Sequence, residues 1–385
     1  MSRGRCPLQK SRHGKVKVGA GEKDLPLWAR LYVRQVRKTF LEVAMRIVVD
    51  AFGSDACPVP DVEGAVLAAR KWGDEIILVG PEERIRAELA KHHTEGLSLR
   101  VVHAPEVLTM EDHAEDVRHK TQSSIRVGLQ LVQKGEADAF VSAGNTIAVL
   151  SGAIFDLRRI PGIHRPALGT LYPLSNQRVL LLDIGATADP RPEYLVQFAQ
   201  MGAIYAERVW GIANPRVGLL ANGEEEEKGT LTLRETHHLL AASGLNFVGN
   251  VEPKEVVHGH ADVVVTDGFT GNIMLKTTEA TASFAAHLLK SEFWQKPLSK
   301  AGLVLMIPGL VLALPGLALL TPTFRRLVRR MDYAEYGGAL LLGVEGVVIV
   351  GHGRSNAKAI MNAIRQGREA VAAQVIPTIK AGLGV

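Results

Sequence analysis

The sequence predicts an α/β fold built on a doubly wound, mostly parallel sheet that carries an inserted apolar helical hairpin. Three observations predict it. Short β-branched runs alternate with segments of helical spacing from Met45 onward. The stretches between runs are long enough for crossover helices, as parallel neighbours require. One segment, AGLVLMIPGLVLALPGLALL at residues 301–320, breaks the rhythm with twenty residues and no charge.

Taken in order, RIVVD (46–50), EIILV (75–79), LRVVH (99–103), DAFVS (138–142), RVLLLD (178–183), RVGLL (216–220), ADVVVT (261–266) and VVIV (347–350) read as buried strands. Helical spacing is clearest at 61–71, 81–92, 113–134, 145–158, 229–243, 272–290 and 355–372. These alternations give a Rossmann-like α/β/α sandwich. Residues 45–280 and 333–385 are expected to form its core, and 281–332 the hairpin, for dimer or membrane contact. Residues 1–44 read as a basic extension, disordered or dispensable.

Composition narrows the function classes. The 385 residues are 22% charged and 46% hydrophobic, ordinary for a globular chain with a sizeable core. Cys6 and Cys57 are the only cysteines, too few for a disulfide framework and consistent with a reducing compartment. CxxC and HExxH pairs are missing, and His92/His93, His237/His238 and His258/His260 lack a thiolate or carboxylate frame, so no metal is expected. Residues 1–44 hold eleven Lys/Arg against three acids, so the +5 of the whole chain leaves residues 45–385 at −3. That body carries no nucleic-acid footprint. Within the extension, LPLWARLYVRQVRKTFLEVA reads either as a basic helix lying on a membrane surface or as a segment preceding a true start at Met45.

The turns after these strands carry the chemistry. AFGSDACP, AGNT, IGAT, ANGEEEEKG, DGFTGN and GHGRSNAK gather Gly, Asn, Ser and Asp at carboxyl ends of strands, where open α/β sheets bind ligands. A single such turn is ordinary punctuation; six, expected along one edge, point to a site. Two open directly into helices, Ser142–Thr146 and Gly268–Asn272, and a helix N-terminus attracts anions. Arg118, Lys120, Lys228 and Lys276 are cations close by in sequence. Nucleotide loops of the GxxxxGK[ST] and GxGxxG kinds are missing, and Phe140 occupies the first glycine position of a GxSxG elbow at FVSAG.

In order along residues 45–375, VDAFGSDACP, RHKTQSSIRVGLQLV, DAFVSAGNT, LLDIGAT, GLLANGEEEEKG, NFVGNVE, VTDGFTGNIMLKT, EYGGALLLGVEG and GHGRSNAKAI resemble the motif series of PlsX-type phosphate acyltransferases. The usual DAMGGDHAP differs here, with Phe52 and Ala56 in place of its Met and His. The resemblance implies a cofactor-free enzyme that moves a fatty acyl group from acyl carrier protein to inorganic phosphate. The acyl phosphate would feed a membrane glycerol-3-phosphate acyltransferase in bacterial phospholipid synthesis. It also implies a homodimer, cytoplasmic and peripherally associated with the inner face of the cell membrane.

The chemistry suits such turns. Phosphate is already anionic and needs positioning more than a strong base, a thiol leaves readily, and the developing oxyanion needs fixed donors. Ser142, Gly144 and Thr146 are therefore expected to bind phosphate, with Arg118, Lys120 and Lys228 supplying charge and His352 and Ser355 closing the pocket. Asn145, Asp267, Asn272 and Lys276 are expected to be catalytic, the last three beside the thioester carbonyl. An NAD-dependent dehydrogenase of the isopropylmalate type and an inactive membrane-associated scaffold are the competing readings. Pro308-Gly309 and Pro315-Gly316 interrupt the 301–320 stretch, and Lys296, Lys300, Arg325, Arg326, Arg329 and Arg330 flank it on both sides. This favours a tip that returns over a single span, meeting either a membrane leaflet or a dimer partner.

Overall fold

The computed structural model describes residues 44–173, 177–294, 305, 309, 316, 318–323, 333–335 and 337–385. Most of the expected 1–44 extension and most of the 295–332 stretch, including Arg325, Arg326, Arg329 and Arg330, lie outside the described residues. Those described between 305 and 323 are helical. Among the described residues no helix is long and apolar enough to cross a membrane.

Among the described residues, eleven strands form one sheet: β1 (Arg46–Asp50), β2 (Glu75–Gly80), β3 (Leu99–His103), β4 (Ala139–Ser142), β5 (Ala167–Leu171), β6 (Leu180–Leu182), β7 (Val217–Leu220), β8 (Phe247–Val251), β9 (Val263–Val265), β10 (Ala339–Leu342) and β11 (Val347–Val350). Their spatial order is β3-β2-β1-β4-β11-β10-β5-β6-β9-β7-β8. All neighbours are parallel except β11–β10, β10–β5 and β5–β6. The helices are α1 (Val59–Trp72), α2 (Glu82–Leu89), α3 (Asp116–His119), α4 (Ser124–Gln133), α5 (Thr146–Asp156), α6 (Pro192–Trp210), α7 (Leu231–Ala241), α8 (Pro253–His258), α9 (Gly268–Trp294), α10 (Ala357–Ala372) and α11 (Val375–Leu383).

Alternation along the strands divides the core. Ile47 and Val49 face one side with residues of α1, α6, α10 and α11, while Val48 faces the other with residues of α4, α5 and α9. All the sequence-read strands are present. The continuous helix expected over 113–134 is instead two: Ser123 adopts an extended backbone and its hydroxyl accepts from Arg126 N–H, capping a fresh start at α4.

The three antiparallel pairings correct one expectation. β5, β8 and β10 are absent from the strands expected on sequence, and β5 and β10 reverse the sheet. Strands β1–β4 and β11 run one way, and β6–β9 run the other. The carboxyl ends of β1, β4 and β11 therefore lie at one end of the sheet, and those of β6, β7 and β9 at the opposite end. The six turns do not share an edge; they are joined across the face of β10 and β5.

Candidate active site

That face holds a groove. Its floor is β5 and β10, one wall is the start of α5, and the other is α9. The cavity is about 390 Å³ and has two characters. Thr146, Gly185, Asn272, Lys276, Gly351 and His352 line it with polar groups, whereas Ile147, Leu168, Leu171, Pro173, Ile184 and Leu275 supply an apolar surface. Asn272 and Lys276 are four residues apart on α9 and so share a face. Tyr172 Oη and Thr278 Oγ1, 2.9 Å apart, tie that helix to the end of β5.

Backbone geometry places α9. The Asp183 carboxylate accepts from the N–H groups of Leu168, Gly185, Ala186 and Thr187, which holds the turn after β6 in place. Asp267 Oδ1 accepts from Thr270 N–H, capping α9, and Gly268 N–H donates to Thr187 O. A side chain at Gly271 would come within 1.9 Å of Asp183 O, so only glycine lets the helix begin this close to the turn.

At the other end of the sheet, the turn after β4 packs as tightly. A side chain at Gly53 would stand 2.8 Å from both Ala143 N and Gly144 N. Ser142 Oγ donates to Asp50 Oδ2 at 2.8 Å and accepts from Gly144 N–H. The hydroxyl is therefore turned inward and fully engaged, which speaks against a nucleophile. Burial pushes the Asp50 carboxyl up from its ordinary value, against the hydrogen bonds that it accepts. Gly351 N–H donates to Ser142 O. A side chain at Gly351 would lie 3.5 Å from Ser355 Oγ, a buried hydroxyl with no hydrogen-bond partner among the described residues.

The sequence-selected residues thus divide. Thr146, Asn272, Lys276 and His352 line the groove together, and Lys276 is the only Lys or Arg among the described lining residues. Ser142, Gly144 and Ser355 lie directly behind its β4–β11 end, and Asp267 anchors the opposite wall.

Asn145 is committed elsewhere. Its Oδ1 accepts from Ile147 and Ala148 N–H to cap α5, and its Nδ2 donates to the carbonyls of Thr109, Met110 and Asp112. Lys120 pairs with Asp112 at 2.7 Å and reaches Val107 O. Although burial pushes Asp112 up, the bonds from Lys120 and Thr109 hold its carboxyl below its ordinary value. The Arg118 guanidinium stacks 5.0 Å from the Phe155 ring, and Lys228 is exposed on the loop after β7, outside the groove lining. Sequence reasoning missed Leu168, Thr170 and Leu171 of β5, Ile184, Gly185, Leu275, Glu279 and Gly337–Ala339 as lining residues. The signal for the α9 members was their spacing from Asn272. For β5 there was little, since ALGTL is short and holds a glycine.

Comparison with known proteins bears on the same features. A family model described as fatty acid synthesis protein matches residues 45–378. A phosphate acyltransferase of Herpetosiphon aurantiacus is 51% identical over 360 residues, covering 88% of this chain and 98% of that protein. Among solved structures, a phosphotransacetylase from Streptococcus pyogenes aligns with TM-score 0.54 at 18% identity, over 90% of this chain and 99% of that one. A 4-hydroxythreonine-4-phosphate dehydrogenase from Klebsiella pneumoniae aligns with TM-score 0.50 at 14% identity, over 86% and 100%. The architecture is therefore shared by transferases and dehydrogenases, and it is the sequence relatives that separate them. A groove with a polar, cation-bearing part and an apolar part, on a chain matched from end to end of the core, leads to one conclusion: this chain belongs to the fatty acid synthesis protein family and, within it, to the phosphate acyltransferases, enzymes that are acyltransferases.

Proposed function

We propose that the protein transfers a fatty acyl group from an acyl carrier protein thioester to inorganic phosphate, giving acyl phosphate for phospholipid synthesis. The observation that carries this reading is the groove itself, where apolar surface and anion-compatible groups share one cavity of about 390 Å³. Ile147, Leu168, Leu171, Ile184 and Leu275 suit an alkyl chain, which gains about 0.8 kcal/mol per buried methylene. Thr146, at the α5 N-terminus, His352 and the unpartnered Ser355 hydroxyl suit phosphate.

In the reaction a phosphate oxygen attacks the thioester carbonyl carbon. The carbonyl electron pair moves to oxygen, and the tetrahedral intermediate collapses with loss of the thiolate, which takes a proton from solvent. Lys276 and Asn272 are the groups that we assign to the developing oxyanion. Asn145, Lys120 and Asp267 act through the backbone segments that they hold, while Arg118 and Lys228 supply longer-range positive charge.

The product is an amphiphile with an activated carboxyl, which favours delivery close to where it is consumed. We therefore also propose a cytoplasmic homodimer that meets the inner face of the cell membrane through the 301–320 segment and hands acyl phosphate to a membrane glycerol-3-phosphate acyltransferase. Acyl carrier protein thioester incubated with the enzyme and phosphate should release thiol and yield a product trapped by hydroxylamine. Firm NAD binding would instead favour the dehydrogenase reading.

A further inference from the structure

The loop between α5 and β5, residues 157–166, concentrates positive charge away from the groove. Arg158, Arg159, His164 and Arg165 are all exposed, and the segment holds no Asp or Glu. Arg158, Arg159 and Arg165 make no ion pair with any described residue, and the nearby Glu345 is taken by Lys380. Two concavities of about 350 and 380 Å³ open between these side chains, both touching Ile154 of α5 and Arg159, one of them also Tyr194.

The loop is held rigidly. Ile160 N–H donates to Gly343 O, Glu345 N–H to Arg158 O, His164 N–H to Gln197 Oε1, and Gln197 Nε2 to Gly162 O. Arg158 is kept at φ 68°, a left-handed backbone that non-glycine residues seldom adopt. Such a preformed array loses little entropy on binding.

We propose that this loop is the docking surface for the acidic protein that carries the acyl thioester; the inference rests on the donor being carrier-bound, as proposed above. Three features favour a protein over a lipid leaflet or free phosphate. Ile160 and Ile163 are 1% and 4% exposed, which leaves Pro161 as the one exposed apolar side chain of the loop, too little to anchor in a membrane. Its cations are spread around open concavities and do not converge on one anion, and Arg and Tyr beside shallow pits are typical of protein interfaces. The third is placement. α5 runs from Thr146 at the groove to Asp156 at the loop, eleven residues or about 16 Å. A partner seated on the loop would reach the site if its thioester hung on an extended arm of about that length.

The test is the double variant Arg158→Glu/Arg165→Glu, assayed with one acyl group on acyl carrier protein and on N-acetylcysteamine. At low salt we expect KM for the carrier-borne donor to rise about tenfold, as expected for reversed interface charges, and the difference to shrink at high salt. KM for phosphate and for the small thioester should stay unchanged, which also shows that the variant is folded. An unchanged carrier KM overturns the proposal. A raised phosphate KM would place the loop in the phosphate site, and lost binding to anionic vesicles with an unchanged carrier KM would make it a lipid surface; either outcome overturns it. Wild-type enzyme that uses only the small thioester would overturn the carrier-bound donor itself.

Discussion

Behind the turns after β1 and β4, two carboxyls are buried close to the site and pair with no cation among the described residues. Asp61 is fully inaccessible and accepts from Ser54 Oγ, while its other oxygen has no partner among the described residues. Burial pushes it up to about 8, with Asp50 adding to the effect. The folded state therefore holds a proton that the unfolded chain releases near 3.8. The group costs nothing below that value. Between 3.8 and about 8 it removes about 1.4 kcal/mol of stability per pH unit, and above that window the loss is complete. Asp61→Asn should flatten this slope and gain on wild type between pH 5 and 8 in denaturant midpoints; parallel slopes would contradict the assignment. In the groove, Lys276→Ala should lower kcat by about 10²-fold with little change in KM, the signature of a group acting mainly in the transition state. Asn145→Ala should lose both the α5 cap and the clamp on 109–112, costing about 1–2 kcal/mol of stability along with activity. Asn145→Asp, which keeps the cap acceptor, should recover part of that stability by thermal melting.

At the scale of elements, the site depends on how α9 starts and on two strands with weak sequence signals. Gly271→Ala would force the helix away from Asp183 O, shifting Asn272 and Lys276 together. Backbone cannot yield as a flexible side chain can, so we expect a loss of 2 kcal/mol or more, on the order of overpacking costs, with a fall in kcat. Wild-type stability and rate in this variant would contradict the packing account. The parallel strands other than β8 were legible because they are apolar runs bounded by turn residues, and the starts of α5 at Asn145 and of α9 at Gly268 were legible from their Gly and Asn residues. β5 and β10 were not, since ALGTL and ALLL are too short for periodicity to separate strand from helix. Missing them hid the reversal of the sheet. It also hid Leu168, Leu171 and Ala339, which give the groove its floor. Lys120 and Asn145 were singled out on sequence because their motifs stand out, but only geometry shows them bound to Asp112 and to backbone carbonyls, outside the groove lining. α6 is absent from the helices expected on sequence although it carried a readable signal, with Pro192 at its start, Gly211 in a left-handed cap and buried Leu195, Phe198, Ala199 and Met201 at helical spacing.

Across the whole molecule, two half-sheets running in opposite directions meet at β10 and β5, so each contributes the early turns of a helix to one groove. This brings turns from opposite ends of the sheet to a single groove. Among the described residues, the groove draws no lining residue from 301–320, the segment to which we assign membrane contact. Deleting residues 303–320 should abolish binding to anionic liposomes while sparing turnover of a water-soluble donor; unchanged liposome binding would sink the membrane role. The central claim, acyl transfer from a carrier thioester to phosphate, is tested most directly by measuring thiol release from acyl carrier protein thioester as phosphate is varied. The account predicts release only when phosphate is present, saturating with its concentration and matched by hydroxylamine-trappable product. Release at the same rate without phosphate would contradict it and make the protein a thioesterase.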